Sequence, residues 1–350
     1  MKTAIITGVT GQDGAYLARH LLAHGYKVVG AVRRTSTVNY WRLEELGLAD
    51  VAGRPLTDRF TLVDFDLGDT ASAIRLVAEH KPDEIYNLAA QSFVSVSFQQ
   101  PLATADMTAL GAVRLLEAVR IIKPDTRFYQ ASTSEMFGKV QQTPQSEATP
   151  FYPRSPYAFA KLMAHWATIN YREGYSIFAT SGILFNHESP LRGREFVTRK
   201  ITDHVARVVA GSDAPLELGT LDARRDWGHA RDYIEGMYAM MQHGVPDTFV
   251  LATGQTWTVR HFTDLAHAVA GIRLVWEGEG VDEAARDAAT GAVRVRVNPR
   301  YFRPAEVDVL IGDAGKARSE LGWQAQVQLE DLCEDMVKAD IERVRSGRSF

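Results

Sequence analysis

Residues 3–32 leave little choice of fold. Ala4-Ile5-Ile6 reads as a buried strand, Thr7-Gly8-Val9-Thr10-Gly11-Gln12-Asp13-Gly14 as a loop, and Ala15, Leu17, Ala18, Leu21 and Leu22 as the apolar face of a helix that Gly25 stops. Val28-Val29-Gly30-Ala31-Val32 is a second buried strand. This strand, glycine loop, helix, strand order is the setting of a dinucleotide site. Gly8, Gly11 and Gly14 let the backbone approach a pyrophosphate, and the helix start offers it free N–H groups. An NAD site places an acidic residue at the end of the second strand, to hold the ribose hydroxyls. Here Arg33-Arg34-Thr35-Ser36 stands there, which suits a ribose 2′-phosphate. The expected cofactor is NADP; a solvated basic turn is the plainer alternative.

Strands alternate with helices as far as Lys161, which predicts an α/β fold with a Rossmann-type, doubly wound parallel sheet. Residues 39–59 read as a charged surface excursion. Asp66 and Leu67 follow the strand 60–63; Asp66 could meet an adenine or cap the helix through 73–80. Leu88-Ala89-Ala90-Gln91-Ser92 follow another strand, small enough for a cofactor or a helix to come close. Residues 102–122 read as one long amphipathic helix. The βα rhythm weakens after the strand 178–185. The division expected is an NADP-binding domain over 1–185, carrying the catalytic residues, and a smaller mixed α/β substrate lobe over 186–350. Some segments of that lobe, which has short strands at 215–218 and 248–252, are expected to return to the sheet. Residues 277–297 read as a hairpin or loop, and 313–321 and 329–345 as helices.

A net charge of -4 gives no electrostatic footprint for nucleic acid or an acidic membrane, and one cysteine, Cys333, allows no intrachain disulfide framework. No stretch approaches the roughly 20 apolar residues that span a bilayer, and the N-terminal apolar run is too short for a signal peptide. A cytoplasmic protein is expected. His20 and His24 lie four apart on the first helix, a spacing found in metal sites, but no third ligand presents itself and no metal is expected.

The chemistry concentrates between Ala131 and Lys161. Thr133 and Glu135 follow a strand ending at Phe128-Tyr129, and Pro153 and Pro156 precede a helix on which Tyr157 and Lys161 fall on one face. A free phenol titrates near pH 10. A unit charge about 4 Å away is worth roughly 4 kcal/mol at an effective dielectric of 20, so Lys161 is expected to bring the phenol down toward neutrality. Tyr157 could then take a proton from a hydroxyl whose carbon gives hydride to the cofactor.

These motifs resemble the extended short-chain dehydrogenase/reductase superfamily. Longer strings, Thr133-Ser134-Glu135, Pro153 to Tyr157, Ile183 to Pro190, Phe196 to Ile201, Arg225 to Gly228 and Tyr301 to Asp308, resemble the GDP-mannose 4,6-dehydratase family across nearly the whole chain. The resemblance implies Tyr157 as base at the sugar C4 hydroxyl, Lys161 as its electrostatic partner and a ribose contact, and Thr133 as a hydrogen-bond donor to the same oxygen. Glu135 would remove the C5 proton and protonate the departing C6 hydroxyl. The implied cofactor set is Gly8, Thr10, Gly11, Gln12, Asp13, Gly14, Arg33, Arg34, Thr35, Ser36, Asp66, Leu67, Leu88, Ala89, Ala90, Gln91, Ser92, Lys161, His187 and Arg192. Ser92, Asn186, Val197, Lys200, Gly219, Arg225, Arg303 and Glu306 would hold GDP-mannose. Ala103 departs from the tyrosine often found there, which bears on one cofactor contact and not on the chemistry. The family also implies a homodimer or homotetramer.

A 4-keto reductase or C4 epimerase on the same scaffold is the nearest rival, and a non-catalytic NADP-binding protein the next. Neither rival enzyme has use for a carboxylate at C5, so Glu135 is the residue that separates them.

Overall fold

The computed structural model describes residues 1–37, 39–301 and 309–348. Its centre is a seven-stranded sheet, parallel throughout. The strands in chain order are β1 (Thr3–Thr7), β2 (Lys27–Val32), β3 (Phe60–Asp64), β4 (Glu84–Asn87), β5 (Arg127–Thr133) and β6 (Ala179–Leu184). Spatially they run β6-β5-β4-β1-β2-β3, and the late strand Thr248–Leu251 pairs outside β6. The order therefore reverses between β1 and β4. Crossovers leave to opposite sides there, which opens a crevice at the strands' C-terminal ends.

The first helix, α1 (Gln12–Ala23), buries Ala15, Leu17, Ala18, Leu21 and Leu22 against one face of the sheet. Each buried leucine stabilises the layer by about 2 kcal/mol. The opposite face is covered by the helices Thr70–His80, Gly111–Ile122 and Pro156–Tyr175, through Val77, Leu115 and Tyr171 among others. Asp69, not Asp66, caps the helix Thr70–His80, accepting from the N–H groups of Ala71 and Ser72. The span 102–122 is helical but contains a wider-wound π turn over Ala105–Leu110. That turn presents the Thr108 hydroxyl to the N–H of Gln91 at 3.2 Å, holding the loop after β4.

Residues 39–59 are mostly exposed or half-buried, as their charge suggests, but three of them anchor the segment in the core. The short helix Trp41–Glu45 inserts Leu43 fully into the core, and Leu48 and Ala49 follow it. Beyond β6 a four-stranded sheet forms from Leu274–Glu277, Ala284–Asp287, Val293–Val297 and Leu216–Leu218. The hairpin expected at 277–297 belongs to it. The helix Leu329–Arg345 packs on Val197–Val209, where Arg199 and Asp340 pair at 2.8 Å in the buried interface. Among the described residues no helix is long and apolar enough to cross a membrane.

Candidate active site

Two adjoining cavities open at the strand ends, one of about 310 Å³ and one of about 220 Å³. Asn186, Arg192, Glu195 and Phe196 line both.

The glycine loop forms one wall of the larger cavity. Gly8 has a φ of +70° and Gly11 donates its N–H to the Gly8 carbonyl at 2.9 Å. A Cβ on Gly14 would stand 2.3 Å from that carbonyl oxygen, so only glycine fits where α1 leaves the loop. A Cβ on Gly11 would meet nothing but the same oxygen, at 3.2 Å, and would otherwise intrude on the cavity. Asp13 reaches across to His187 Nε2 at 2.8 Å, while His187 Nδ1 donates to the Phe185 carbonyl at 2.7 Å. An acceptor at each ring nitrogen favours the protonated imidazole. Burial works against both groups, yet the pairing takes Asp13 down to about 2 and His187 up from its ordinary value.

The residues expected to carry the chemistry also line this cavity. Ser155 caps the helix Pro156–Tyr175 by accepting from the Ala158 N–H, and Pro156 takes its first position. Tyr157 and Lys161 therefore sit in the first two turns, both buried and both on the cavity wall. Thr133 ends β5, its hydroxyl accepting from the Glu135 N–H at 3.3 Å, and both residues line the same cavity. The electrostatics differ from the expectation drawn from spacing. Burial and the Glu135 carboxylate push the Tyr157 phenol above its ordinary value, against smaller help from Thr133 and Arg192. Lys161 does not offset this, because its Nζ donates to the Ala131 carbonyl at 2.7 Å and lies 6.0 Å from the Tyr157 ring centroid. Burial brings the Lys161 ammonium down to about 8, with Asp13 opposing.

Of the expected residues, Gly8, Gly11, Gln12, Asp13, Gly14, Leu88, Ala90, Ser92, Thr133, Glu135, Tyr157, Lys161, Asn186, His187 and Arg192 line the larger cavity. Asn186, Val197, Lys200, Gly219 and Arg225 line the smaller. Thr10 turns its carbonyl to Arg42 at 3.2 Å, and the N–H groups of Ala89 and Gln91 are held by Thr7 and Thr108. Arg33, Arg34, Thr35 and Ser36 are exposed beyond β2, with Arg34 3.6 Å from Asp64. Asp66 accepts from the Gly68 N–H at 2.8 Å and Leu67 is buried beyond β3, so these six residues lie outside both cavities, at the strand ends. Arg303 and Glu306 fall outside the described residues. Ala103 is exposed, on the short helix Pro101–Thr104. His20 meets Tyr238 edge-on and His24 packs tilted against the same ring.

Several lining residues were not among the expected site residues, although Phe196 and Tyr301 open two of the family-like strings. Arg42 donates to the Thr10 and Leu191 carbonyls, bracing two loops that are distant in the chain. Phe196 carries the Arg192 guanidinium 3.6 Å above its ring, and Glu188 holds the same arginine at 3.0 Å. Tyr301 lies 3.7 Å beneath Lys200 Nζ, which donates to the Glu217 carbonyl at 2.5 Å.

The chain matches the GDP-mannose 4,6 dehydratase family over residues 5–336. It is 52% identical to the GDP-mannose 4,6-dehydratase of Sinorhizobium fredii, over 99% of both chains. It is 51% identical to that of Yersinia enterocolitica, over 99% of this chain and 95% of the relative. Among solved structures it resembles a dTDP-glucose 4,6-dehydratase of Streptomyces venezuelae with NAD bound, with a TM-score of 0.80 at 22% identity over 98% of each chain. At that identity the likeness is one of fold.

Proposed function

The chain belongs to the GDP-mannose 4,6-dehydratase family, and on that premise we propose that it dehydrates GDP-mannose to GDP-4-keto-6-deoxy-mannose with bound NADP. The observation that carries the reading is that Glu135 shares a wall with Thr133, Tyr157 and Lys161. A reductase or epimerase would need the phenol and the amine; only an elimination uses the carboxylate.

The larger cavity suits a dinucleotide. Gly11 leaves room that any side chain would fill, and the start of α1 supplies N–H groups for a pyrophosphate. Arg33 and Arg34, beyond β2, have the charge to meet a 2′-phosphate, which favours NADP over NAD. Bound NADP would supply the hydride chemistry, an oxidation at C4 that is reversed by a reduction at C6. Tyr157 takes the C4 hydroxyl proton, with Thr133 donating to the same oxygen and Lys161 as the buried cation one helical turn away. Glu135 then removes the C5 proton, made acidic by the new ketone, and delivers it to the leaving C6 hydroxyl as water forms. The proton held on Tyr157 closes the balance at C5. No net oxidation remains.

The smaller cavity supplies the place for the nucleotide of GDP-mannose. Lys200 and Arg225 bring positive charge to a diphosphate there, and Asn186, Val197 and Gly219 shape the walls. In this division residues 1–185 hold cofactor and chemistry and most of 186–350 hold substrate. Phe159, Met163 and Trp166 stand exposed along one face of the helix Pro156–Tyr175, an apolar stripe that a second copy would cover in a homodimer or homotetramer. The single cysteine suits the cytoplasm.

The test is direct. Purified protein given GDP-mannose, NADP and no reductant should yield a product lighter by one water. An unchanged substrate with NADP demonstrably bound would refute the assignment.

A further inference from the structure

Three buried side chains that this chemistry does not use stand in line beneath it. The strand register sets Thr7 beside Asn87 and Asn87 beside Gln130, at the C-terminal ends of β1 and β4 and midway along β5. None is more than 1% exposed. The Thr7 hydroxyl oxygen accepts from the N–H groups of Leu88 and Ala89, each at 3.1 Å. With both lone pairs taken, its own proton goes to Asn87 Oδ1 at 2.8 Å. That fixes which way the Asn87 amide faces, so Nδ2 donates to Gln130 Oε1 at 2.8 Å. Gln130 is fixed in turn, and its Nε2 donates to the Ala131 carbonyl at 2.9 Å. The same oxygen receives Lys161 Nζ at 2.7 Å. Every amide orientation in the chain follows from the two backbone N–H groups at its far end.

We propose that Gln130 is a positioning residue: locked by Asn87 and Thr7, its amide fixes the Ala131 carbonyl on which Lys161 is seated. It thereby sets where the ammonium stands relative to Tyr157. This rests on reading Lys161 as the electrostatic partner of Tyr157. Hydrocarbon side chains at these three positions would bury as well without any pairing requirement, and fully paired polar networks specify direction and not added stability. The direction here is set by the loop at Leu88, which lines the larger cavity, and ends at the amine. The charged groups acting on the Tyr157–Lys161 pair from other elements are Glu135, Asp13 and Arg192. His165, one turn beyond Lys161, is held neutral by burial and turns its Nδ1 to Ser181 at 2.8 Å.

Gln130→Met keeps the length and removes both hydrogen bonds. With NADP saturating, kcat for GDP-mannose dehydration should fall about tenfold and KM stay within about twofold, since the change falls on the chemical step. The acid limb of the kcat profile should move by about half a pH unit or more, because the ammonium no longer stands at a fixed distance from Tyr157. A lower melting temperature with the acid limb in place would mean a structural role only and would overturn the proposal. If Gln130→Met does not fold, Thr7→Val breaks the chain at its other end; the limb should move there and return in Thr7→Ser, and an unmoved limb overturns the proposal equally. An inactive wild-type protein removes the functional reading and this proposal with it, whereas an active wild type with unshifted variants removes this proposal alone.

Discussion

Asp13 and His187, 174 residues apart in the chain, form an ion pair at 2.8 Å that ties the start of α1 to the segment leaving β6. Gln12 strengthens the tie by donating to both the Asp13 carboxylate and the His187 carbonyl, at 3.0 and 3.1 Å. Both residues line the larger cavity, so the glycine loop and the segment after β6 are fixed to each other by charge.

That pair makes stability depend on pH in a stated window. Asp13 at about 2 lies below its unfolded value, so its contribution is present above about pH 4 and is lost as pH falls through 2. His187 is raised, so its contribution is complete below about pH 6.5 and is lost as pH rises through its folded value. His187→Leu leaves a buried carboxylate without its partner and should cost about 3 kcal/mol between about pH 4 and 6.5. Denaturant unfolding across pH measures this. A gap between wild type and variant that is constant with pH would exclude the charged pair.

The role given to Glu135 separates two half-reactions. Glu135→Gln keeps the shape and the N–H bond to Thr133 but cannot take a proton. C4 oxidation should survive, seen as reduced nicotinamide absorbance on adding GDP-mannose, while water loss falls by about 10²-fold to 10⁴-fold. Dehydration at the wild-type rate would remove Glu135 from the chemistry.

Much of this site was legible because its signals are local. The glycine triplet between two apolar runs defined β1, α1 and β2, and the four-residue spacing of Tyr157 and Lys161 defined one helical face. Long-range features were not legible. Arg42 looks like one more charge in a charged stretch until Thr10 and Leu191 are brought to it. The Thr7–Asn87–Gln130 alignment exists only once three strands are in register. Spacing also misjudged the phenol: it counted Lys161 and missed the burial and the Glu135 carboxylate that push Tyr157 up, and the Ala131 carbonyl that holds the lysine away.

Cofactor choice should lie in the exposed turn beyond β2. Arg33 and Arg34 have little to hold them: Arg34 stands 3.6 Å from Asp64, both largely in solvent, a contact worth little by itself. The double change Arg33→Ser, Arg34→Ser should weaken NADP binding by about tenfold to a hundredfold and leave NAD within about threefold, because only the 2′-phosphate loses its charge-assisted hydrogen bonds. Titration calorimetry with each cofactor decides it. An equal loss for both would assign the arginines to the fold.

Lys161 is a case where function and stability pull apart. Its ammonium is buried beside the Ala131 carbonyl, and burial brings it from about 10.5 in the open chain to about 8. Between those values the unfolded chain binds a proton that the folded one does not, so stability rises with pH across that window. Below about pH 8 the fold carries a charge at a cost of about 3 kcal/mol, taking 1.4 kcal/mol per pH unit, less the hydrogen bond to Ala131. Lys161→Met removes the charge and fills the same space. It should abolish turnover yet melt at or above the wild-type temperature at pH 7, and the difference should shrink as the pH approaches 10. Melting well below wild type at pH 7 would show that the ammonium stabilises the fold it was placed in, and the stated cost of its burial would be wrong.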